Sequence, residues 1–284
     1  MENINIITNI FERSQNSIIP LDSISHDYRI KIIKMMLASR RGHLASALSL
    51  VEIIRVLYDD ILRYDPKYPK WTERDRFILS KGHGALALYV ILAEKGFFPE
   101  SELWNYCMPN GILGGHPEIK VPGVEASTGS LGHGFSIGIG FALNARYEKS
   151  NVRVFVVIGD GEANEGSIWE AALCASKHHL SNLTIIMDYN KQQSYDTTFN
   201  VLNLEPLTEK WTSFGFAVTE VDGHDICKLQ NVFTHLPIQE DKPSLVICHT
   251  IKGKGIEGVE HNLRWHHKSN LKESDFDKLF EGVK

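Results

Sequence analysis

The apolar positions of this chain follow two different periods, and the change from one to the other marks out its elements. Residues 152–158, VRVFVVI, are an almost unbroken β-branched and aromatic run. A half-exposed strand would alternate, so this run predicts a strand buried on both faces. It ends at Gly159-Asp160-Gly161, where the glycines let the backbone turn sharply and come close to a ligand. Residues 166–179 then space their apolar side chains at helical intervals. Residues 183–187 form a second buried strand, closing on Asp188-Tyr189-Asn190. Strand, helix and strand make a β-α-β unit, whose ligand crevice lies at the carboxyl ends of the strands.

The rest of the chain repeats these signals. Residues 24–40 carry Ile30, Ile33, Met36 and Leu37 at helical spacing, and residues 49–62 do so again behind Ser49 as a cap. Residues 74–89 read as a short strand, a Gly-bracketed His83, then a helix. A glycine-rich turn over 127–134 opens a helix that is small at Gly138, Gly140 and Ala142, suited to close packing on a sheet. A short helix over 207–215, an edge-like strand over 216–221 and a buried strand over 244–250 follow. The first 24 residues form a lead-in, weakly packed over 1–20, and residues 25–284 make one domain. The expected fold is doubly wound α/β, a mostly parallel sheet with helices on both faces.

Composition narrows the function class. A chain of 284 residues, 43% hydrophobic, can bury a full core as one large domain. A formal charge of −5 gives no reason to expect nucleic acid or a membrane surface. No apolar stretch approaches the roughly 18 residues of a spanning helix, and the N-terminus has no basic region before an apolar run. Cys107, Cys174, Cys227 and Cys248 form no CxxC pair, which suits a reduced, cytoplasmic protein. No Cys/His spacing suggests zinc.

The candidate chemistry sits in the turns. Asp160 and Asn190 stand 30 positions apart at two strand ends. A carboxylate, an amide oxygen and a nearby backbone carbonyl are hard donors suited to Mg²⁺ or Ca²⁺, and Mg²⁺ is normally shared with phosphate. Taken singly, Asp160 is equally a helix cap and Asn190 a turn residue. His43 and Ser46, in Arg41-Gly42-His43-Leu44-Ala45-Ser46, are equally a loop histidine and a cap. Backbone amides at the strand-to-helix turn around His83 can hold phosphate. Lys252 and Lys254, alone in a glycine turn, read as solvated surface.

Together these segments resemble a known family. The separation from GDG to Asn190 is similar to the thiamine diphosphate motif, and GDGEANEGSIWEAALCASKHHLSNL resembles transketolase, where GDG is followed by EG, EA and NL. RGHLAS resembles that family's GHxxS segment, and GGHPE its GHPE loop. TIKGKG resembles its TxKGKG turn, and WHHK its WHGK, with His267 in place of glycine. These matches run in family order over roughly residues 25–272.

The resemblance implies thiamine diphosphate with Mg²⁺ (or Ca²⁺), held by Asp160, Asn190 and the backbone carbonyl of Gln192. It places Ser46, His83, Gly129, Ser130, Leu131, Gly161, Lys252 and His266 against the cofactor. It gives His43, His116, His266 and Glu165 catalytic positions, the histidines facing the sugar with hydrogen bonding and proton transfer as their work. It places Glu165 in a carboxylate network at a subunit contact linking two active sites. The chain resembles only the first half of a complete transketolase, so the implied protein is the amino-terminal subunit of a split enzyme. Such an enzyme moves a two-carbon ketol unit from a ketose to an aldose, with sugars or sugar phosphates as substrates. The missing pyrimidine-binding and carboxy-terminal domains would lie on a partner subunit, in an α2β2 assembly about a twofold axis. An apolar face over 161–175, including Ile168, Trp169 and Leu173, is expected to be covered by self-association or a partner. Two other readings stand beside this one. An α-type subunit of a 2-oxo acid dehydrogenase also carries GDG, but the His43, GHPE and WHxK loops favour a polyhydroxy sugar. A non-catalytic binding paralogue is the second, and the intact Asp160, Asn190 and four histidines argue against it.

Overall fold

The computed structural model describes residues 21–284 apart from His267 and Ser269. The expectations for residues 1–20 and for His267 therefore lie outside the described residues. Strand β1 is Arg76–Leu79, β2 Val154–Gly159 and β3 Leu183–Tyr189. A small antiparallel hairpin follows, β4 Gln192–Gln193 and β5 Asp196–Thr197. Then come β6 Ala217–Asp222 and β7 Ser244–His249. Five of these form one sheet in the order β1-β2-β3-β7-β6, with every pairing parallel. The central β2 and β3 are buried along their whole length, as their unbroken apolar runs require, while edge strand β6 is partly exposed.

The helices are α1 Ser23–Ser39, α2 Leu44–Leu48, α3 Val51–Val56, α4 Ala85–Glu94, α5 Gly134–Tyr147 and α6 Gly166–Lys177. They continue with α7 Thr198–Leu202, α8 Leu207–Ser213, α9 Ile226–Thr234 and α10 Glu273–Glu281. Successive strand side chains point to opposite faces, so the sheet feeds two separate cores. Phe155 and Val157 of β2 join one with α1, α3, α4, α9 and α10. Val154, Val156 and Ile158 join the other with α5, α6 and α8. The doubly wound arrangement is thus as expected from the sequence.

Three local expectations are corrected. Residues 49–62 are not one helix behind a Ser49 cap. The α3 helix starts at Val51 and passes into a π turn over Leu57–Ile61, and the Ser49 hydroxyl instead donates to Asp188 Oδ2 at 2.7 Å. On α5, Gly138 does pack on the sheet, since a Cβ there would lie 2.5 Å from Val156 Cγ2. Gly140, two residues on, faces open space, because only positions three or four apart share a helix face. The apolar face over 161–175 is mostly satisfied within the chain. Ile168 is fully buried, and Trp169 packs against Trp211 and Phe214 at 5.1 and 5.0 Å, leaving Leu173 58% exposed. Among the described residues no helix is long and apolar enough to cross a membrane.

Candidate active site

The carboxyl ends of β1, β2, β3 and β7 open onto one edge of the sheet, and four turns converge there. Register pairs Gly159 with Asp188, so Asp160 and Asn190 leave neighbouring strands side by side. Asp160 is buried. Its Oδ1 accepts from Gly161 N at 2.7 Å and its Oδ2 from Lys191 N, which ties the two strand ends together. Asn190, also buried, accepts on Oδ1 from Gln192 N at 3.1 Å. The backbone carbonyl of Gln192 accepts from Lys252 Nζ at 3.1 Å, and the same ammonium meets His266 Nδ1. Burial, then the neighbouring charge of Asp188, pushes the Asp160 carboxyl up to about 6. Burial and then the charge of Lys81 push Lys252 down to about 8.

This donor set fits a hard divalent cation. Asp160 is a buried carboxylate whose ionised form is opposed by burial and by Asp188, and a protein ammonium already sits on the Gln192 carbonyl. Among the described residues no group of three or more His, Cys, Asp or Glu could hold a metal, so the oxygens of Asn190 and Gln192 would be needed beside Asp160. The cofactor side fits as well. Ser46 is buried with no partner for its hydroxyl among the described residues, which suits an acceptor group arriving from outside. The turn at Gly82 touches the glycine-rich turn so closely that a Cβ would lie 2.8 Å from Gly129 N. Gly129 has φ of +142°, and a Cβ there would lie 2.9 Å from the His116 ring, so only glycine fits.

Above this floor the histidines gather. His43 lies 5.8 Å from His83, 6.1 Å from His116 and 6.5 Å from His266, and His83 lies 6.2 Å from His266, between ring centroids. Burial and then the charges of Lys81 and His43 hold His83 well below the usual histidine range, so it stays neutral. His116 is exposed at the mouth, with its carbonyl held by the Tyr89 hydroxyl at 2.7 Å. Ser130 and Leu131 border the same turn, exposed and half-buried. Glu165 is exposed at the start of α6, close against Gly132, where a glycine Cβ would lie 2.9 Å from it.

Sequence reading missed the groups beneath the floor. Asp188 is fully buried and takes an ion pair from Lys81 and hydroxyl bonds from Ser49 and Thr250. Glu162 is buried too, and it joins three turns by accepting from Ser80, Gly132 N at 2.9 Å and Gly159 N at 3.1 Å. Charged residues inside wholly buried segments were the available signal, because a buried charge implies a partner.

Comparison with known proteins identifies the family. A family profile described as "Transketolase, thiamine diphosphate binding domain" matches residues 23–281. An apulose-4-phosphate transketolase subunit from Phocaeicola vulgatus is 40% identical over 247 residues, 87% of this chain and 88% of that protein. The protein of the same description from Actinobacillus succinogenes is 44% identical over 228 residues, 80% of this chain and 82% of its own length. The crystal structure of transketolase from Campylobacter jejuni superposes with a TM-score of 0.83 at 29% identity. That match covers 90% of this chain but 41% of the longer one, so this chain spans less than half of that enzyme.

Proposed function

The chain belongs to the transketolase family, through its thiamine diphosphate-binding domain, and from that premise we propose that it is the diphosphate-binding subunit of a split transketolase. In this reading it helps transfer a two-carbon ketol unit from a ketose to an aldose. A second subunit carries the pyrimidine-binding and carboxy-terminal domains, and two copies of each make the working assembly. The observation that carries the reading is the ring of His43 within 5.8–6.5 Å of those of His83, His116 and His266, over a floor of Asp160, Asn190 and Lys252. The match to 88% of a protein described as one subunit of a transketolase, set beside 41% of a one-chain transketolase, supports the split.

Asp160, Asn190 and the Gln192 carbonyl would hold Mg²⁺ (or Ca²⁺), and Ser46, His83 and Lys252 would meet the diphosphate. Gly129, Ser130, Leu131 and Gly161 would line the remaining cofactor surface. Thiamine diphosphate, once bound, supplies the nucleophilic carbon that takes up and hands on the ketol unit. His83, held neutral, can donate one hydrogen bond to a phosphate oxygen without adding a cation to a site already holding Lys81 and Lys252. His43, His116 and His266 would orient sugar hydroxyls and exchange protons with them, which imidazole does well near neutral pH. Glu165, exposed beside Gly132, is suited to a subunit contact rather than to the sugar. The cytoplasm is the compartment that fits a chain whose four cysteines are all free.

The test is Asp160→Ala in the assembled enzyme. Its Mg²⁺-dependent affinity for thiamine diphosphate, measured by calorimetry, is expected to fall at least about a hundredfold, beyond the usual cost of losing an outer supporting residue. Unchanged affinity would refute the assignment.

A further inference from the structure

Behind the turn that presents Lys252 lies a buried ionic cluster that none of the roles above uses. Arg29 of α1 is fully buried, and each of its five N–H donors has an acceptor. Two go to Glu52, at 2.7 Å to Oε1 and 3.0 Å to Oε2. The other three go to the carbonyls of Ser25 (3.1 Å), Leu48 (3.2 Å) and Lys254 (2.8 Å). Glu52 of α3, 1% exposed, meets His224 Nδ1 at 2.9 Å. The other ring nitrogen, Nε2, accepts from Ile251 N at 2.8 Å. That pair of bonds assigns His224 as the neutral tautomer with its proton on Nδ1.

The two ends of the segment bearing Lys252 are thus tied to one carboxylate. Ile251 N is held through His224 and the Lys254 carbonyl through Arg29. A third tie runs from Gly253 N to Ala45 O at 3.0 Å, next to Ser46. Gly255, at φ +83°, lets Arg29 in, because a Cβ there would lie 2.6 Å from Arg29 Nε. A buried ion pair adds little net stability over an apolar replacement. Fixing a loop residue costs roughly 1–2 kcal/mol, so a turn ordered in advance binds its ligand without that cost. The cluster is therefore better explained by the geometry it imposes than by stability.

We propose that Arg29, Glu52 and His224 are positioning residues that hold the 250–255 turn so that Lys252 reaches the cofactor phosphates. The inference rests on the reading of Lys252 as a cofactor contact.

The experiment titrates thiamine diphosphate, in excess Mg²⁺, into the full chain assembled with its partner subunit. His224→Leu is expected to raise Kd about tenfold, the scale of one or two lost hydrogen bonds, with kcat at saturating cofactor unchanged. His224→Gln, whose amide can donate to Glu52 and accept from Ile251 N, is expected to restore Kd to within about threefold of wild type. A lowered melting temperature for His224→Leu with wild-type Kd is what a purely structural role gives, and it would overturn the proposal. If His224→Leu does not fold, His224→Asn, too short to meet both partners, takes its place with the same expectation. A wild-type complex that fails to bind thiamine diphosphate would instead overturn the underlying functional reading. A wild-type complex that binds tightly, beside a variant that binds equally well, overturns the clamp alone.

Discussion

His43 and His116 sit 6.1 Å apart at the mouth of the site, while Asp160 lies buried beneath them. That separation in depth divides their expected effects. The ring of His43 lies among those of His83, His116 and His266, and His116 is exposed where a sugar would arrive. Replacing either His43 or His116 with Ala is expected to cut ketol transfer by about 10²–10⁴-fold, the usual worth of a positioned acid or base. Cofactor affinity should stay near that of wild type. Steady-state kinetics alongside calorimetry checks this, and wild-type turnover in both variants would remove the histidines from the mechanism. Ser46 illustrates what one residue does not reveal by itself. It is an ordinary helix residue until the structure shows its hydroxyl buried and without an acceptor.

Among elements, α1 and α3 are joined by the buried ion pair of Arg29 and Glu52. Burial alone would raise the Glu52 carboxyl, but Arg29 and then His224 hold it far below the usual carboxylate range. The sign follows from linkage. The folded state binds this proton later than the unfolded chain does, so the group contributes stability that is fully present above about pH 4.3 and lost as pH falls below it. Glu52→Gln is expected to lower stability at pH 7 by about 3–5 kcal/mol, because Arg29 is left buried without its counter-charge. The same variant should show a flatter loss between about pH 4.3 and pH 3 than wild type. Urea melts across that range measure both effects, and parallel wild-type and variant curves would refute the coupling. The same scale shows where pattern reading is imprecise. The small residues of α5 were legible as a packing face, yet helical geometry puts Gly138 on β2 and Gly140 in the open. The π turn at Leu57–Ile61 has no counterpart in the apolar spacing of residues 49–62.

At the scale of the whole molecule, the site is a floor and one wall. Asp160, Asn190, Lys252 and the histidines are present, with His116 exposed and His43, His83 and His266 half-buried. Purified alone, the chain is expected to show no ketol transfer with Mg²⁺ and thiamine diphosphate, and mixing with the partner subunit should restore it. Full activity without a partner would refute the split-enzyme reading. Exposed Glu165 and Leu173, at the start and middle of α6, remain available for a subunit contact after Ile168 and Trp169 have packed inward.

The apolar runs by themselves determined the parallel sheet, because a strand buried on both faces cannot alternate polar and apolar residues. The glycine turns after those runs determined where a ligand crevice would open. Motif order determined the family, since GDG, GHPE and TxKGKG carry their spacing in the chain. Only the tertiary structure decided which charges meet. Lys81 and Asp188 are 107 positions apart, and Glu52 and His224 are 172 apart. Local periodicity carries no information about pairing across such distances, whereas burial leaves each of those charges no alternative to its partner. The same physics turned Ile168 inward and left Leu173 exposed, because the packing of α6 on the sheet, rather than the residue types, set which side each faces.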